Sequence, residues 1–392
     1  MKSIELFAGA GGLAMGASSI GFTHPAVVEI DRDACTTIRH NQEREVRLVQ
    51  DWNLIESDVA LVDFSPWRQS IHLVAGGPPC QPFSIGGKHR GSSDERNMFP
   101  QAVRVVREVR PWAFVFENVK GLVRESFAKY FSYILLQLTY PDLVRRSKED
   151  WVQHLGRLER LHTEGVEPDL HYRVTFRLLN AADYGVPQKR ERVFIVGFRS
   201  DIGQAWSFPD ATHSRASLLL SQSPEGDYWE RHSVPKRERI FPEPSVLLRL
   251  RQGSLAEKAR LSPWRTVRDG ISDLGQPSRT SEAARVPNHV FQPGARVYPG
   301  HNGSPLDEPA KTLKAGDHGV PGGENMLRFA DGKVRYFTVR ECCRLQTFPD
   351  NYVFEGSWTE NMRQLGNAVP VALAEQILRS VQGVLLKSSA AN

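Results

Sequence analysis

The chain has 392 residues, of which 40% are hydrophobic and 24% are charged, a balance typical of a soluble globular protein. No apolar run reaches the roughly 18 residues of a membrane span. The four cysteines include no Cys-x-x-Cys pair, which argues against a disulfide framework and a structural zinc site. The net charge of +5 is a weak indication of a polyanionic partner.

The first 200 residues alternate short apolar runs with charged, helix-like segments, which predicts an α/β fold with a mostly parallel sheet. Predicted strands cover Ser3–Phe7, Ala26–Ile30, Leu73–Ala75, Ala113–Phe116, Arg173–Leu179 and Arg192–Phe198. A charged stretch at about 125–170 predicts helix, interrupted at Pro141.

From about Asp201 to Thr338 the pattern becomes irregular, and this segment holds 13 of the 25 prolines. We expect a compact lobe of loops and short strands there. Regular patterning returns in Val339–Gln346 and in a final helix at about Val371–Leu386.

A glycine-rich turn follows the first predicted strand, in the run Ile4–Gly12 (IELFAGAGG). Glycines let a ligand approach the backbone, and the start of the next helix favours a negative group. About twenty residues later, Val28–Asp31 ends a second strand with acids, where a ribose would be held. Alone, this pattern fits any nucleotide-binding α/β domain, including a dehydrogenase.

A cysteine lies in the rigid loop Gly76–Ser84 (GGPPCQPFS), directly after a predicted strand. Active sites of α/β folds lie outside the carboxyl ends of strands, so Cys80 is a candidate catalytic residue. The alternative is a buried structural cysteine, which the surrounding glycines and prolines disfavour.

Two further motifs carry charge at strand ends. Glu117 ends the strand before Asn118 and Val119, and Gln188-x-Arg190-x-Arg192 places three polar side chains on one face. By themselves these would fit a surface carboxylate and a solvated edge strand.

Taken together and in this order, the motifs resemble those of DNA (cytosine-5) methyltransferases of the stand-alone bacterial, restriction–modification type. The resemblance also includes Asp51, Arg340–Gln346 and Gln364–Pro370, and leaves out roughly 125–170 and 201–300. It implies a Rossmann-like lobe that binds S-adenosylmethionine and a smaller, irregular target-recognition domain.

The resemblance further implies methyl transfer from S-adenosylmethionine to carbon-5 of a flipped-out cytosine within a specific double-stranded DNA sequence. Cys80 would form a covalent adduct at ring position 6, with Arg190 or Arg192 lowering the pKa of its thiol. Glu117 would donate a proton at position 3, and Arg192 would contact the oxygen at position 2.

The residues implied for the cofactor are Phe7, Gly9, Gly11, Gly12, Glu29, Ile30, Asp51, Trp52, Pro79, Gly366, Asn367 and Val369. Phe7 would pack on the adenine, Glu29 would bind the ribose and Asp51 the adenine amine. The residues implied for DNA contact are Gln81, Ser84, Gln188 and Thr312. No metal is expected. Since cofactor residues come from both ends of the chain, we expect the termini to meet in one lobe.

The expected domains are a catalytic and cofactor-binding lobe at 1–200, a target-recognition domain at 201–338, a hinge and returning motif at 339–359, and the rest of the catalytic lobe at 360–392. Three features depart from the family pattern. Ile30 stands where some members carry an aromatic residue, and Cys342-Cys343 replaces small residues. The 125–170 stretch is longer than usual, and we expect a surface helical hairpin, with DNA contact as the alternative.

Two other functions use the same motifs. One is an RNA (tRNA) cytosine-5 methyltransferase, which the long variable region disfavours. The other is a catalytically inactive DNA-binding regulator, which the intact Cys80, Glu117 and Arg192 disfavour. Because the chain begins at its first motif, we expect a stand-alone cytoplasmic bacterial enzyme. It would be a monomer, associated with the nucleoid through DNA and with no membrane, and a restriction endonuclease acting on the same site is a candidate partner.

Overall fold

Short buried apolar runs form the strands, and longer amphipathic runs form the helices between them. The structure is a computed structural model that describes residues 1–79, 98–202, 205–316 and 325–389. The described strands are β1 (Lys2–Leu6), β2 (Thr23–Glu29), β3 (Leu54–Glu56), β4 (Leu73–Gly76), β5 (Ala113–Val119), β6 (Tyr172–Asn180), β7 (Glu191–Arg199), β8 (His213–Ser214), β9 (Ser262–Pro263), β10 (Ser304–Pro305), β11 (Met326–Arg328) and β12 (Val334–Tyr336). The described helices are α1 (Gly12–Ser19), α2 (Arg32–Glu43), α3 (Phe99–Val109), α4 (Ala128–Thr139), α5 (Trp151–Glu164), α6 (Arg215–Ser221), α7 (Tyr228–Arg231), α8 (Pro244–Leu250), α9 (Gly253–Lys258), α10 (Val267–Ile271), α11 (Val339–Leu345), α12 (Trp358–Asn367) and α13 (Val371–Ser389).

The largest described sheet has the strand order β3-β2-β1-β4-β5-β7-β6. Its strands are parallel except β7, which runs antiparallel to both β5 and β6. The predicted α/β fold with a mostly parallel sheet is confirmed. The short strand β3 was not predicted, because its three residues carry too little pattern to be recognised.

The strand order reverses beside β1, since β2 lies on one side of it and β4 on the other. Ligands of open α/β sheets bind outside the carboxyl ends of the strands at such a point. The glycine turn after β1, the acid ending β2 and the loop after β4 therefore come together at one edge.

The two ends of the chain pack against each other in this lobe. A methyl group built on Gly16 of α1 would lie 2.6 Å from Cβ of Ala374 in α13, so the two helices are in close contact. The expectation that the termini meet in one lobe is confirmed. The stretch 358–389 is apolar and long enough to span a membrane, but 56% of its most apolar window is buried inside the protein. In this protein the stretch forms part of the hydrophobic core.

The 125–170 stretch is a helical hairpin, as predicted. His154 on α5 donates from Nε2 to the Leu143 carbonyl (2.8 Å), so its Nδ1 accepts the hydroxyl proton of Tyr133 on α4 (2.8 Å). The Asp150 side chain caps the start of α5. These contacts join the two helices, and both helices also pack in the same hydrophobic cluster as residues of β5 and β6.

The irregular segment does not form one separate core. Leu218, Tyr228, Trp229 and Val234 form a small cluster of their own. In contrast, α10, Ala310, Leu313 and Phe337 pack in the same cluster as α11 and α12 of the large lobe. The domain boundaries at 201 and 338 therefore remain a prediction, and part of that segment is built into the large lobe.

Candidate active site

A cleft of about 1290 Å³ opens at the carboxyl edge of the sheet. The ends of β1, β2, β4 and β5 contribute to its wall, and the start of β7 joins them because that strand runs the other way. Two chain segments from far away, 311–316 and 363–369, complete it.

An acid and an arginine lie together in this cleft. Glu117 on β5 and Arg192 on β7 approach to 2.8 Å, between Oε1 and Nε. Their angle falls short of a hydrogen bond, and Oε1 has no hydrogen-bond partner among the described residues. Burial raises the pKa of Glu117, and the charges of Arg192 and Arg190 oppose that rise. A carboxyl whose pKa is raised keeps its proton to higher pH and can donate it to a ligand.

The loop after β4 begins next to this acid. A methyl group built on Gly77 would lie 3.4 Å from Glu117 Oε2, and the Asn118 amide donates to the Pro78 carbonyl at 2.9 Å. Pro79 lines the cleft. The predicted residues Cys80, Gln81 and Ser84 lie outside the described residues, directly after this point.

The glycine turn after β1 is built around a buried carboxylate. Glu29 at the end of β2 accepts from the Gly9 N–H through Oε2 (2.6 Å) and from two further backbone N–H groups through Oε1. A carboxylate oxygen can accept twice, so Oε2 keeps capacity for a ligand hydroxyl. Burial raises the Glu29 pKa, and these hydrogen bonds oppose the rise.

Phe7 has a left-handed backbone, with φ of 54°. For a residue with a side chain this conformation costs on the order of 1 kcal/mol or more, and such strain is concentrated at functional sites. Both Phe7 and Ile30 line the cleft, and Ile30 is 64% exposed. They form the apolar part of the wall near Glu29.

Sequence reasoning missed one buried acid of this cleft. Glu5 on β1 is wholly buried, and its Oε2 has no hydrogen-bond partner among the described residues. It lines the cleft with Gly12 and Leu13, and burial raises its pKa well above the ordinary value. The sequence feature that could have identified Glu5 is an acidic residue inside an otherwise apolar predicted strand.

The far end of the chain closes the cleft. A methyl group built on Gly12 would lie 2.2 Å from the Val369 carbonyl oxygen, and one on Gly366 would lie 2.2 Å from the Ala315 nitrogen. Both glycines therefore permit close backbone contact between distant segments. Gly366, Asn367 and Val369 all line the cleft, as Gly9 and Gly12 do.

Three of the residues predicted for the cofactor do not line the cleft: Gly11, Asp51 and Trp52. A methyl group built on Gly11 would lie 2.6 Å from the Trp52 ring, so the indole packs directly against the glycine turn. Asp51 precedes β3 and therefore lies at the amino-terminal edge of a parallel sheet, away from the cleft. The predicted role of Asp51 is wrong for that reason.

Asp58 follows the carboxyl end of β3, whereas Asp51 precedes the amino end of that strand. The preceding N–H, from Ser57, donates to the Glu29 carbonyl at 2.9 Å, which joins this turn to the end of β2. Asp58 Oδ1 accepts from the Ala60 N–H at 2.8 Å. The sequence feature that could have identified Asp58 is the preceding strand Leu54–Glu56, which was not predicted.

Gln188 and Arg190 are wholly buried and do not line the cleft. The Gln188 amide donates to the Leu345 carbonyl and accepts from the Leu313 N–H, so its predicted DNA contact is wrong. Arg190 donates to the Leu313 carbonyl (3.1 Å) and the Gly366 carbonyl (2.7 Å). These bonds give Arg190 a structural role, and its predicted place in the catalytic group stays a prediction.

Several basic side chains line the cleft, and together they are called its basic side here. The basic side chains there are Lys120, Arg124, Lys189, Lys311 and Lys314. Thr312 also lines this side, with its hydroxyl donated to the Lys189 carbonyl at 2.7 Å. The cleft is therefore lined by buried carboxyl groups and by basic side chains, of which Lys120 pairs with Glu191 and Lys189 with Glu308.

A model of the family described as C-5 cytosine-specific DNA methylase matches residues 1–140 and 166–383. The chain belongs to this family. It is therefore an S-adenosylmethionine-dependent DNA (cytosine-5) methyltransferase. The internal stretch that this model leaves unmatched, 141–165, contains α5 of the hairpin.

Relatives of similar length support the assignment. The Type II methyltransferase M.NgoMIV of Neisseria gonorrhoeae is 30% identical over 392 residues, which is 99% of each chain. M.Eco47II of Escherichia coli is 30% identical over 391 residues, covering 98% of this chain and 79% of that one. Among solved structures, the S. pombe Dnmt2 methyltransferase matches with a TM-score of 0.54 at 16% identity, covering 99% of this chain and 98% of that one. That last likeness shows the fold alone.

The cleft of this methyltransferase fits S-adenosylmethionine. The unpartnered Glu5 carboxyl suits a cationic methionine group, since an unpaired buried polar atom is costly without a ligand. Glu29 suits the ribose hydroxyls, and the exposed Ile30 side chain suits the adenine face. The observed donor and acceptor set thus matches the cofactor that the family uses.

Proposed function

We propose that this methyltransferase acts on a flipped-out cytosine within a specific double-stranded DNA sequence, with Cys80 as nucleophile. The observation that carries the proposal is the enclosed pair of Glu117 and Arg192 beside the start of the loop that contains Cys80. A neutral carboxyl and a fixed cation are the two groups that a cytosine ring needs on its polar edge.

The steps assigned to the chain's own residues begin with the thiolate of Cys80, which forms a bond to carbon-6 of the base. The electron pair displaced from the ring moves to nitrogen-3, where Glu117 donates a proton. Arg192 contacts the oxygen at position 2 and favours the thiolate form of Cys80. Carbon-5, now nucleophilic, forms the bond to the transferred methyl group, and the proton on nitrogen-3 returns to Glu117. Loss of the proton from carbon-5 to water and departure of Cys80 as a thiolate then restore the aromatic ring.

S-adenosylmethionine, when bound, supplies the methyl group as a positively charged sulfonium. Glu5 would face the cationic methionine end, Glu29 would bind the ribose, and Phe7 and Ile30 would pack on the adenine. Asp58 takes the role first expected of Asp51, because only Asp58 lies at the carboxyl edge of β3.

Double-stranded DNA would enter along the basic side of the cleft. Lys120, Arg124 and Lys311 would hold phosphates, which set the register of the duplex without reading its sequence. Thr312 faces the same side and is retained as a candidate contact. We further propose that residues 201–338 determine which sequence is methylated.

The biological setting follows the Type II relatives. We propose a cytoplasmic, monomeric bacterial enzyme, associated with the nucleoid through its DNA and partnered with a restriction endonuclease that cuts the same sequence. Protection of expressing-cell DNA against one endonuclease would support this setting, and bisulfite sequencing of that DNA would identify the methylated cytosine.

The catalytic proposal is tested with DNA that carries 5-fluorocytosine at the target. Fluorine cannot leave as a proton does, so the wild type should form a stable covalent adduct. Cys80→Ser should form none while still binding S-adenosylmethionine. Cys343→Ala, which alters a buried cysteine of α11, is the matched control and should form the adduct. An adduct with Cys80→Ser would refute the nucleophile, and methyl transfer to tRNA in place of DNA would refute the substrate.

A further inference from the structure

A segment close to the cleft is unusually free of acids. Residues 283–306 contain no Asp or Glu, whereas Arg285, Arg296 and His301 lie within it. Several of its large apolar side chains face solvent, with Val297 55% and Tyr298 52% exposed. An exposed run that alternates arginine with aromatic side chains and lacks carboxylates is suited to a polyanion with flat bases.

The tip of this segment is a tight hairpin, defined here as residues 296–301. Tyr298 and His301 exchange backbone hydrogen bonds, at 3.1 Å and 2.8 Å between N and O. Pro299 and Gly300 form the turn between them, and Gly300 adopts φ of 80°, which favours glycine. The turn fixes the backbone at Tyr298, two residues after Arg296.

The base of the 296–301 hairpin is attached to the basic side of the cleft. Lys311, which lines the cleft, donates from Nζ to Asn302 Oδ1 at 2.6 Å. Its backbone N–H donates to Ser304 Oγ at 3.0 Å. The hairpin therefore stands next to the surface along which we place the DNA phosphates.

Arg296 is not used inside the protein. Its exposed side chain makes no hydrogen bond or ion pair with any other residue in the parts of the chain that the structure describes. Arg344, on nearby α11, shows the contrast, since Asp350 and Asp273 both neutralise it. An arginine on an exposed, acid-free tip is thus left to bind something outside the chain.

We infer that the 296–301 hairpin enters a groove of the target DNA, with Arg296 reading a base edge and Tyr298 packing against the sugar or base beside it. Arginine binds the O6 and N7 atoms of guanine through two parallel hydrogen bonds, so a guanine within the recognised sequence is the expected partner. This inference rests on the proposed function, because it assigns the sequence reading to named residues.

The experiment methylates a pool of duplexes randomised around the target and reads the products by bisulfite sequencing. Arg296→Ala should relax the preference at one base pair by about ten- to a hundredfold and leave the other positions unchanged. Arg296→Lys keeps the charge but loses the paired hydrogen bonds, so it should relax the same position while largely keeping DNA affinity. Tyr298→Ala should weaken binding to the preferred sequence.

Arg237→Ala is the matched control, because Arg237 is a highly exposed arginine outside this segment. It should keep the wild-type preference, and all variants should keep wild-type melting and S-adenosylmethionine affinity. A uniform loss across all sequences would overturn base reading by Arg296, and an unchanged product pattern would overturn contact by the hairpin. If the wild type itself methylates no duplex, the failure lies in the proposed function.

Discussion

The Nε atom of Arg192 lies 2.8 Å from Oε1 of Glu117, and the two side chains expose only 12% and 9% of their surface. This enclosed pair joins β5 to β7 at the cleft edge. Burial raises the pKa of the acid, and the arginine limits the rise. The pair therefore combines a proton donor with a fixed positive charge, and it allows a specific prediction about pH.

Glu117→Gln should slow methyl transfer by about 10²- to 10⁴-fold, since the amide keeps the shape but cannot donate the proton. The wild-type rate should fall as pH rises through the raised pKa of Glu117, because only the neutral acid donates. The variant should lack this alkaline decline. Single-turnover rates across pH, on pre-bound DNA, measure both effects. A wild-type rate in the variant, or an unchanged pH profile, would refute the assignment.

Two aspartates offer a matched test of where the adenine binds. Asp58→Asn should weaken S-adenosylmethionine binding, because it removes a charge-assisted hydrogen bond worth roughly 1.5–3 kcal/mol. Asp51→Asn should leave the affinity unchanged, since Asp51 precedes β3 at the opposite edge of the sheet. Calorimetry on both variants is the measurement. The reverse result would restore the original assignment of Asp51.

Binding of S-adenosylmethionine should be coupled to the release of a proton from Glu5. Its pKa is raised well above the ordinary value by burial, so the free protein keeps this proton to a higher pH than an ordinary glutamate would. A bound cation would favour the charged form, and the carboxyl would then release its proton. Affinity for S-adenosylmethionine should therefore increase with pH up to that raised pKa.

Calorimetry in buffers of different ionisation enthalpy detects this proton release directly. Glu5→Gln should abolish both the release and the pH dependence. Glu159→Gln, which alters an exposed acid on α5, is the control and should behave as the wild type does. Equal proton release from Glu5→Gln and the wild type would mean that Glu5 does not face the cofactor's charge.

Arg190→Met should lower stability more than it changes chemistry. The guanidinium donates to the carbonyls of Leu313 and Gly366, and its loss leaves two buried acceptors without a donor. We expect a decrease in the free energy of unfolding of about 2–4 kcal/mol. Urea denaturation measures it, with Arg237→Met as an exposed control. A variant as stable as the wild type but inactive would return Arg190 to the catalytic group.

Much of this methyltransferase was predictable from local sequence. Apolar runs that end in Glu29, Gly77 and Glu117 indicated strands whose carboxyl ends carry chemistry, and their order along the chain indicated the family. These features are local, because a strand and the residue that ends it are neighbours in sequence. The hairpin at 125–170 was predictable for the same reason, from helical pattern on both sides of a proline.

The tertiary structure alone decided which polar side chains face the cleft and which are enclosed. The motif Gln188-x-Arg190-x-Arg192 alternates as predicted, yet only Arg192 reaches the cleft. Arg190 is enclosed by carbonyls 123 and 176 residues away, and no local pattern contains that information. Likewise, Glu5 lines the same cleft as Val369, which comes from the far end of the chain. Burial and hydrogen-bond partners depend on how distant segments pack, whereas a motif contains information only about residues close together in sequence.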